Sequence, residues 1–594
     1  MKKIAFIIFS ILILTGCDDF LSFDPLLDKT STTYPKTEAE VKQLIAGIYS
    51  TMSDEIREGD MSFFLVNETA SDQKLGGGGV NDLKTQAYEA FAYSDADMLG
   101  HNWETTYEGI HRANYTLEKL AELEEGILTE ELYNQYSGEA YFLRAYFYSR
   151  LATIYGEVPL KLTTEEVNLP AAKIDEIYAQ IGADLMTAID KLPSKPYSDI
   201  EQGRATKWAA EALLGRVWLF YTGFYTKTDM PNANGGAISK ADVIDALEDL
   251  VTNSGHKLVD DFHELWAYTN SLTAPDYQYI QDYMADTGKS VLYASDNGAR
   301  NPEAIFAQQF SNFAQHGTSK GYSNAIMLFF ALRGLQDLEN TFPFAGGWGQ
   351  ANSVPKHIVD EWEADEPGDI RLWASVIDIH EELVKDRELN DDGEPKAYQT
   401  GQWDFVLESN FWGKKHNGVS VKAQDGSYKH TYGVLMYGTP NDAQLSHTDE
   451  LIYIRYADVL LMLAELKEEA SYINEVRARV GLADIPTYTL EALQKERKHE
   501  LAFEAIRWND MRRWGEEYCT AALEKQVGNP VINFNKPAVY DKGNPIPKGG
   551  YTARYKETKG FYPIPQSQIN LSEGLLQQVA GYRDGQGFYS GFGD

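Results

Sequence analysis

The sequence predicts a mainly α-helical protein with a large loop-rich portion set into it. Two observations carry this prediction. Apolar residues recur at three- and four-residue spacing through one segment after another, the period of an amphipathic helix. From about residue 260 to 438 that rhythm fades, and glycine, asparagine and aromatic residues mix in long runs. At 594 residues the chain is long enough to bury a large core.

In chain order, residues 37–52 place Val41, Leu44, Ile45, Ile48 and Tyr49 on one helical face, opened by a capping-box pattern at Thr37-Glu38-Ala39-Glu40. Residues 103–123 line up Trp103, Tyr107, Ile110, Ala113, Asn114 and Leu117. Residues 130–154 are rich in aromatics at helical intervals, 174–192 form a helix stopped by Pro193, and 206–224 are packed with alanine. In that last segment Ala209, Ala210, Ala212 and Gly215 admit a close neighbour, while Trp208, Leu213, Val217 and Trp218 fill the spaces between turns. Stacked helix pairs need this alternation of small and large. Helix is predicted again over 452–466, 472–479 and 490–514, and the tail after Gly528 reads as irregular. No linker separates two autonomous halves, so the expectation is one helical domain, 17–594, with the loop-rich portion inserted at about 260–438.

Acidic residues outnumber basic ones, 89 to 53, for a net charge of -36. Such a surface repels phosphate backbones, so no nucleic-acid partner is expected. Cys17 and Cys519 are the only cysteines, and with Cys17 modified, as the residues before it imply, Cys519 has no intramolecular partner and no disulfide framework is expected. Cys519 reads as a small structural thiol.

Lys2 and Lys3 precede an apolar run from Ile4 to Leu14, too short to span a bilayer but suited to a secretory signal. It ends in Leu14-Thr15-Gly16-Cys17, which resembles the lipobox of bacterial lipoproteins. Residues 1–16 are therefore expected to be removed and Cys17 to carry the lipid anchor. Asp18 and Asp19 resemble the surface-export signal of Bacteroidota lipoproteins, which implies an outer-membrane, cell-surface location.

Several blocks resemble the SusD/RagB family. They begin with Cys17-Asp18-Asp19-Phe20-Leu21-Ser22-Phe23-Asp24-Pro25 and continue with Gly203-Arg204-Ala205-Thr206-Lys207-Trp208-Ala209-Ala210-Glu211-Ala212-Leu213-Leu214. Asn301-Pro302-Glu303-Ala304-Ile305-Phe306 matches a strand-like segment, and Arg455-Tyr456-Ala457-Asp458 precedes Asn474-Glu475-Val476-Arg477-Ala478-Arg479. The most specific block is Glu496-Arg497-Lys498-His499-Glu500-Leu501-Ala502-Phe503-Glu504, running on to Arg507, Asp510, Arg512, Arg513 and Trp514. Tyr562-Pro563-Ile564-Pro565-Gln566-Ser567 closes the series, whereas Gln577-Gln578-Val579-Ala580 departs from the family's usual Gln-Asn-Pro. The resemblance implies a tetratricopeptide-like helical scaffold under a loop-rich ligand face. It also implies a partner, a SusC-like TonB-dependent outer-membrane transporter that the lipoprotein caps, and a glycan ligand handed on for import.

The charged block at 496–515 has two readings. Glu500, Glu504 and Arg507, or Arg497 and Glu500, are spaced to pair on one helix and could serve as acid and base; otherwise the block is a buried ion-pair ladder joining that helix to its neighbours. The second is preferred, and no enzymatic activity is expected. His380-Glu381-Glu382-Leu383 fails the pattern of a zinc hydrolase, and Gly76 to Gly79 lacks the Lys-Ser/Thr of a phosphate loop and reads as a mobile loop. The acidic turn Asn390-Asp391-Asp392-Gly393-Glu394 lacks the spacing of a calcium loop. No metal or cofactor is expected.

A sugar ring needs a flat apolar platform for its C–H face and planar polar groups for its hydroxyls. Trp348, between Gly347 and Gly349, is the first candidate platform, followed by Tyr322, Trp403 and Trp412, with Asn67 and Asp72 as polar partners. The alternative ligand is a peptide, as in the RagB branch. A surface glycoside hydrolase is a third reading that no motif supports.

Overall fold

A computed structural model describes residues 34–57, 62–79, 82–310, 323–333, 338–382, 405–406, 409–442, 446–529, 532–533, 536–539 and 549–590. Cys17, Tyr322, Trp403 and the 390–394 turn lie outside the described residues.

The first half is an array of helices in which sequence neighbours pack side by side: Gly100–Ala121, Glu130–Tyr155, Ile174–Lys191, Lys207–Phe224 and Lys240–Asn253. Glu38–Arg57 packs on the first two of these. Three of them start at a short polar side chain. Thr129 and Thr206 accept the N–H groups of Leu132 and Ala209, and Ser239 forms a reciprocal capping box with Asp242. At the Glu38 helix, Thr37 Oγ1 accepts the Glu40 N–H at 3.3 Å, but the Glu40 carboxylate reaches back one residue further, to Lys36 N at 2.8 Å.

Small residues set how closely the helices approach. A Cβ at Gly215 would stand 3.1 Å from Met462 Sδ and 3.2 Å from Leu247, so the Lys207–Phe224 helix is pressed between two neighbours. Trp208, Ala209, Ala210 and Ala212 beside it are buried in the same core. The mainly helical class and its tetratricopeptide-like scaffold are thereby realised through helices stacked on their sequence neighbours.

Three stretches depart from the sequence reading. Residues 451–455 form a strand, antiparallel to Ala304–Gln308, and helix begins only at Tyr456. Leu451 to Ile454 and Val459 to Leu463 are apolar and no glycine or proline stands between them, so only Arg455, turned inward to Glu303, Glu500 and Glu504, marks the change from strand to helix. The helix expected over 490–514 is two helices, Leu490–Glu500 and Arg507–Arg513, with left-handed backbone at Phe503 (φ 64°) and Ala505 (φ 57°) between them. The tail after Gly528 carries helices at Tyr551–Thr558 and Gln566–Leu571.

The portion around 260–438 is short of long helices but not of core. Its turns enclose a second apolar cluster that includes Phe262, Tyr268, Tyr277, Phe344 and Trp412, and a third around Trp362, Leu372 and Val376. Strands Val376–Asp378 and Phe411–Gly413 pair beneath the loops.

Candidate functional site

The most charged block of the sequence folds into a buried ion-pair network. Arg455 Nη1 lies 2.7 Å from Glu303 and 2.6 Å from Glu500, and its Nε lies 2.7 Å from Glu504. Arg371 pairs with Asp369, Glu496 and Glu500, Arg479 with Glu303 and Glu500, and Lys415 with Glu504 at 2.7 Å. Burial pushes the Glu500 carboxyl up, but Arg479, Arg455 and Arg371 together hold it well below the usual carboxylate range. Neither helical pairing foreseen for acid–base work forms. Arg497, within the helix of Glu500, turns instead to Asp458 and Asp510, and Arg507, beyond that helix's end, turns to Asp72.

Asp72 and Asn67 are correspondingly not exposed polar partners. Asp72 is 1% exposed and accepts a bidentate pair of bonds from Arg507, both at 2.8 Å. Burial works against this carboxylate, yet Arg507 holds it far below its ordinary range. Asn67 is 2% exposed and donates to Phe63 O within its own helix, Phe63–Ala70. The segment that carries both is a helix capped by Ser62 and followed by a buried turn. Gly76, read as mobile, is packed: its N–H donates to Glu89 at 2.8 Å, and a Cβ there would meet Thr85 O at 2.1 Å.

Of the two described tryptophan candidates, Trp412 is 3% exposed and its ring belongs to the second apolar cluster. A ring covered on its faces by the core offers no platform, and the period-two strand that carries it points it inward. Trp348 differs. It is partly buried, packs edge-on against Phe329 with centroids 5.1 Å apart, and its backbone N–H donates to Leu328 O at 2.7 Å. Gly347 lets the strand lie against the Ile326–Phe330 helix, since a Cβ there would stand 2.5 Å from Ala331 Cβ. Gly349, at φ 59°, turns the chain away afterwards. Gln350 then donates to Asp82 at 3.3 Å. Trp348 is thus braced from below with part of its surface open.

His263 sits between Asp261, at 2.8 Å, and Tyr279, at 3.0 Å, an arrangement that resembles a proton relay. Its side chain has no exposed surface, and burial lowers its pKa despite Asp261. Cys519 is likewise buried, with its thiol pushed up to about 12 by burial. Among the described residues no three His, Cys, Asp or Glu side chains gather as a metal site, and no helix is long and apolar enough to cross a membrane.

Two surface clefts of about 460 Å³ each flank the Gln566–Leu571 helix. One is lined by Trp103, Tyr107, Asn114, Lys161 and Leu571, the other by Tyr93, Gln566, Gln577, Tyr582 and Arg583. Sequence reasoning passed over both. The second borders on Gly585-Gln586-Gly587-Phe588, where an aromatic follows glycines as at Trp348, so the same signal was present.

Family models match most of the chain. One described as "Starch-binding associating with outer membrane" covers residues 23–219, and the SusD family model covers 302–582. The chain belongs to the SusD/RagB family. SusD-like relatives match along nearly their whole length. SusD-like protein P25 of Formosa agariphila is 22% identical over 544 residues, 87% of this chain and 90% of that protein. A SusD-like protein of Bacteroides ovatus is 21% identical over 607 residues, 96% of this chain and 93% of the relative. Among solved structures, a laminarin-binding SusD-like protein superimposes with a TM-score of 0.65 at 22% identity, covering 92% of this chain and all of the other. Surface glycan-binding protein A from Bacteroides thetaiotaomicron, in complex with laminarihexaose, gives 0.64 at 17%, covering 91% of this chain and 99% of the other. At these identities the likeness establishes the SusD fold.

Proposed function

We propose that this chain is a cell-surface glycan-binding lipoprotein, anchored through Cys17, that captures an oligo- or polysaccharide at Trp348 and delivers it to a SusC-like TonB-dependent transporter. The observation that carries the binding site is the bracing of Trp348. Its indole rests edge-on against Phe329 and its backbone is tied to Leu328, so stacking a sugar ring costs little ordering of the platform. By analogy with base–aromatic contacts, one such platform supplies about 1–3 kcal/mol. Relatives of the same fold described as binding laminarin or laminarihexaose support a glycan over a peptide.

Binding without catalysis is the reading that the charged groups favour. Glu500 and Glu504 are each engaged by two or more cations. A carboxylate held ionised in that way is poorly placed to give up or receive a proton at a glycosidic bond.

The test is affinity electrophoresis of the chain without its lipid against laminarin, amylopectin, arabinoxylan and polygalacturonate, alongside binding of a peptide library. Retardation by one polysaccharide is expected. Retention of peptides and of no polysaccharide would move the assignment to peptide import. Purification of the native lipoprotein is expected to bring down a TonB-dependent channel, and its absence from every preparation would remove the delivery step.

A further inference from the structure

The C-terminal tail builds a second aromatic platform, tied to the Trp348 side of the molecule by one short helix. That helix is Leu83–Glu89. Asp82, which precedes it, accepts the Gln350 amide two residues from Trp348. Beyond its other end the chain reaches Tyr93, whose N–H donates to Gly587 O and whose carbonyl accepts from Tyr589 N, both at 2.9 Å. Tyr589 also donates its hydroxyl to Gln86 on the helix, at 2.8 Å. Phe588 is clamped between these bonds. It is 60% exposed, and its ring stands edge-on to Tyr93 with centroids 5.5 Å apart; Tyr93 in turn stands edge-on to the buried Tyr582 at 6.2 Å.

A large aromatic side chain left so open while its backbone is held on both sides is costly to hydrate and already ordered. Tyr93, against which Phe588 stands, also lines a cleft of about 460 Å³ together with Gln577 and the exposed Arg583, whose Nε is fastened to Gln578 O at 3.1 Å. An apolar ring bordered by planar amide and guanidinium groups is what a sugar ring requires for its C–H face and its hydroxyls.

We propose that the Tyr93–Phe588 cleft is a second carbohydrate subsite, taking a later residue of the glycan chain that Trp348 holds. The helix Leu83–Glu89 rises about 10 Å and the four residues from it to Tyr93 add at most about 14 Å, so the anchoring points Asp82 and Tyr93 are close enough for one extended glycan to span. Occupying both at once makes affinity rise with chain length without any new contact at Trp348. The proposal rests on the glycan-binding reading given above.

The test compares the wild-type chain with Phe588→Ala and Phe588→Trp on laminarin, amylopectin, arabinoxylan and polygalacturonate, then on oligosaccharides of graded length from whichever polymer is retained. Phe588→Ala should weaken polymer binding about tenfold and leave the shortest bound oligosaccharide unaffected, while Phe588→Trp keeps the wild-type affinity. Equal affinity of Phe588→Ala and wild type for the polymer overturns the second subsite and leaves the Trp348 reading standing. Retention of the wild type by none of the polysaccharides overturns both.

Discussion

Arg455 and Glu500 meet at 2.6 Å in the interior, each almost wholly buried, and Arg455 touches Glu303 and Glu504 in the same embrace. The pair joins the strand Leu451–Arg455 to the end of the Leu490–Glu500 helix, and Arg371 and Arg479 extend it to two further segments. Removing one partner leaves buried charges unmatched. Arg455→Met is therefore expected to cost about 3–5 kcal/mol, read from the shift of a urea midpoint. In combination with Glu500→Gln the loss should be less than additive. A loss under about 1 kcal/mol would mean that water reaches the network.

Trp412 and Trp348 separate stability from binding. Trp412→Ala empties part of the second apolar cluster and should cost about 3–5 kcal/mol, while the protein that remains folded binds its glycan normally. Thermal unfolding and calorimetric titration of the same preparation check both halves. A glycan affinity that fell with Trp412 while stability held would return it to the ligand face.

Gly347→Ala tests the bracing of Trp348 without touching its ring. The new Cβ would lie 2.5 Å from Ala331 Cβ and 2.6 Å from Leu328 O, so the strand must move away from the Ile326–Phe330 helix. Strain of about 1–3 kcal/mol is expected, with glycan affinity lowered about tenfold as the indole shifts. Wild-type affinity in this variant would show that the platform tolerates displacement.

Glu211 lies buried on the Lys207–Phe224 helix, where burial pushes its carboxyl up to about 9 in spite of Lys207, and Asp249 adds to the rise. The folded state then keeps a proton that the unfolded chain, at its ordinary value near 4.5, gives up. Stability from this group is fully present below the unfolded value and is lost as pH rises through the folded one. Glu211→Gln should raise the Tm by roughly 1–3 °C at about pH 8 and leave it unchanged at about pH 4. An equal effect at both pH values would assign the change to packing.

The helices over 103–123, 130–154, 174–192 and 206–224 were legible from apolar residues at helical spacing, two of them with Thr129 and Thr206 at the start, whereas the Lys240–Asn253 helix behind Ser239 was passed over. The break after Glu500 was not legible, since Leu501-Ala502-Phe503-Glu504-Ala505 holds neither glycine nor proline. Its left-handed residues are held from elsewhere: Glu68 accepts the Ala505 N–H at 2.5 Å, and Gln73 accepts that of Phe503 at 3.4 Å. Those partners lie more than 400 positions away in sequence, beyond the reach of local pattern. Asp72 misled for the same reason, because only the fold brings Arg507 to it. Glycines flank Trp348 in the sequence, and a glycine likewise precedes Phe588.

The most direct measurement is the affinity of Trp348→Ala for the polysaccharide that retards the wild-type chain, taken by calorimetry with the Tm measured alongside. Loss of about ten- to a hundredfold in affinity with an unchanged Tm is the predicted result. Undiminished affinity in a stably folded Trp348→Ala protein would contradict the placement of the glycan on this face.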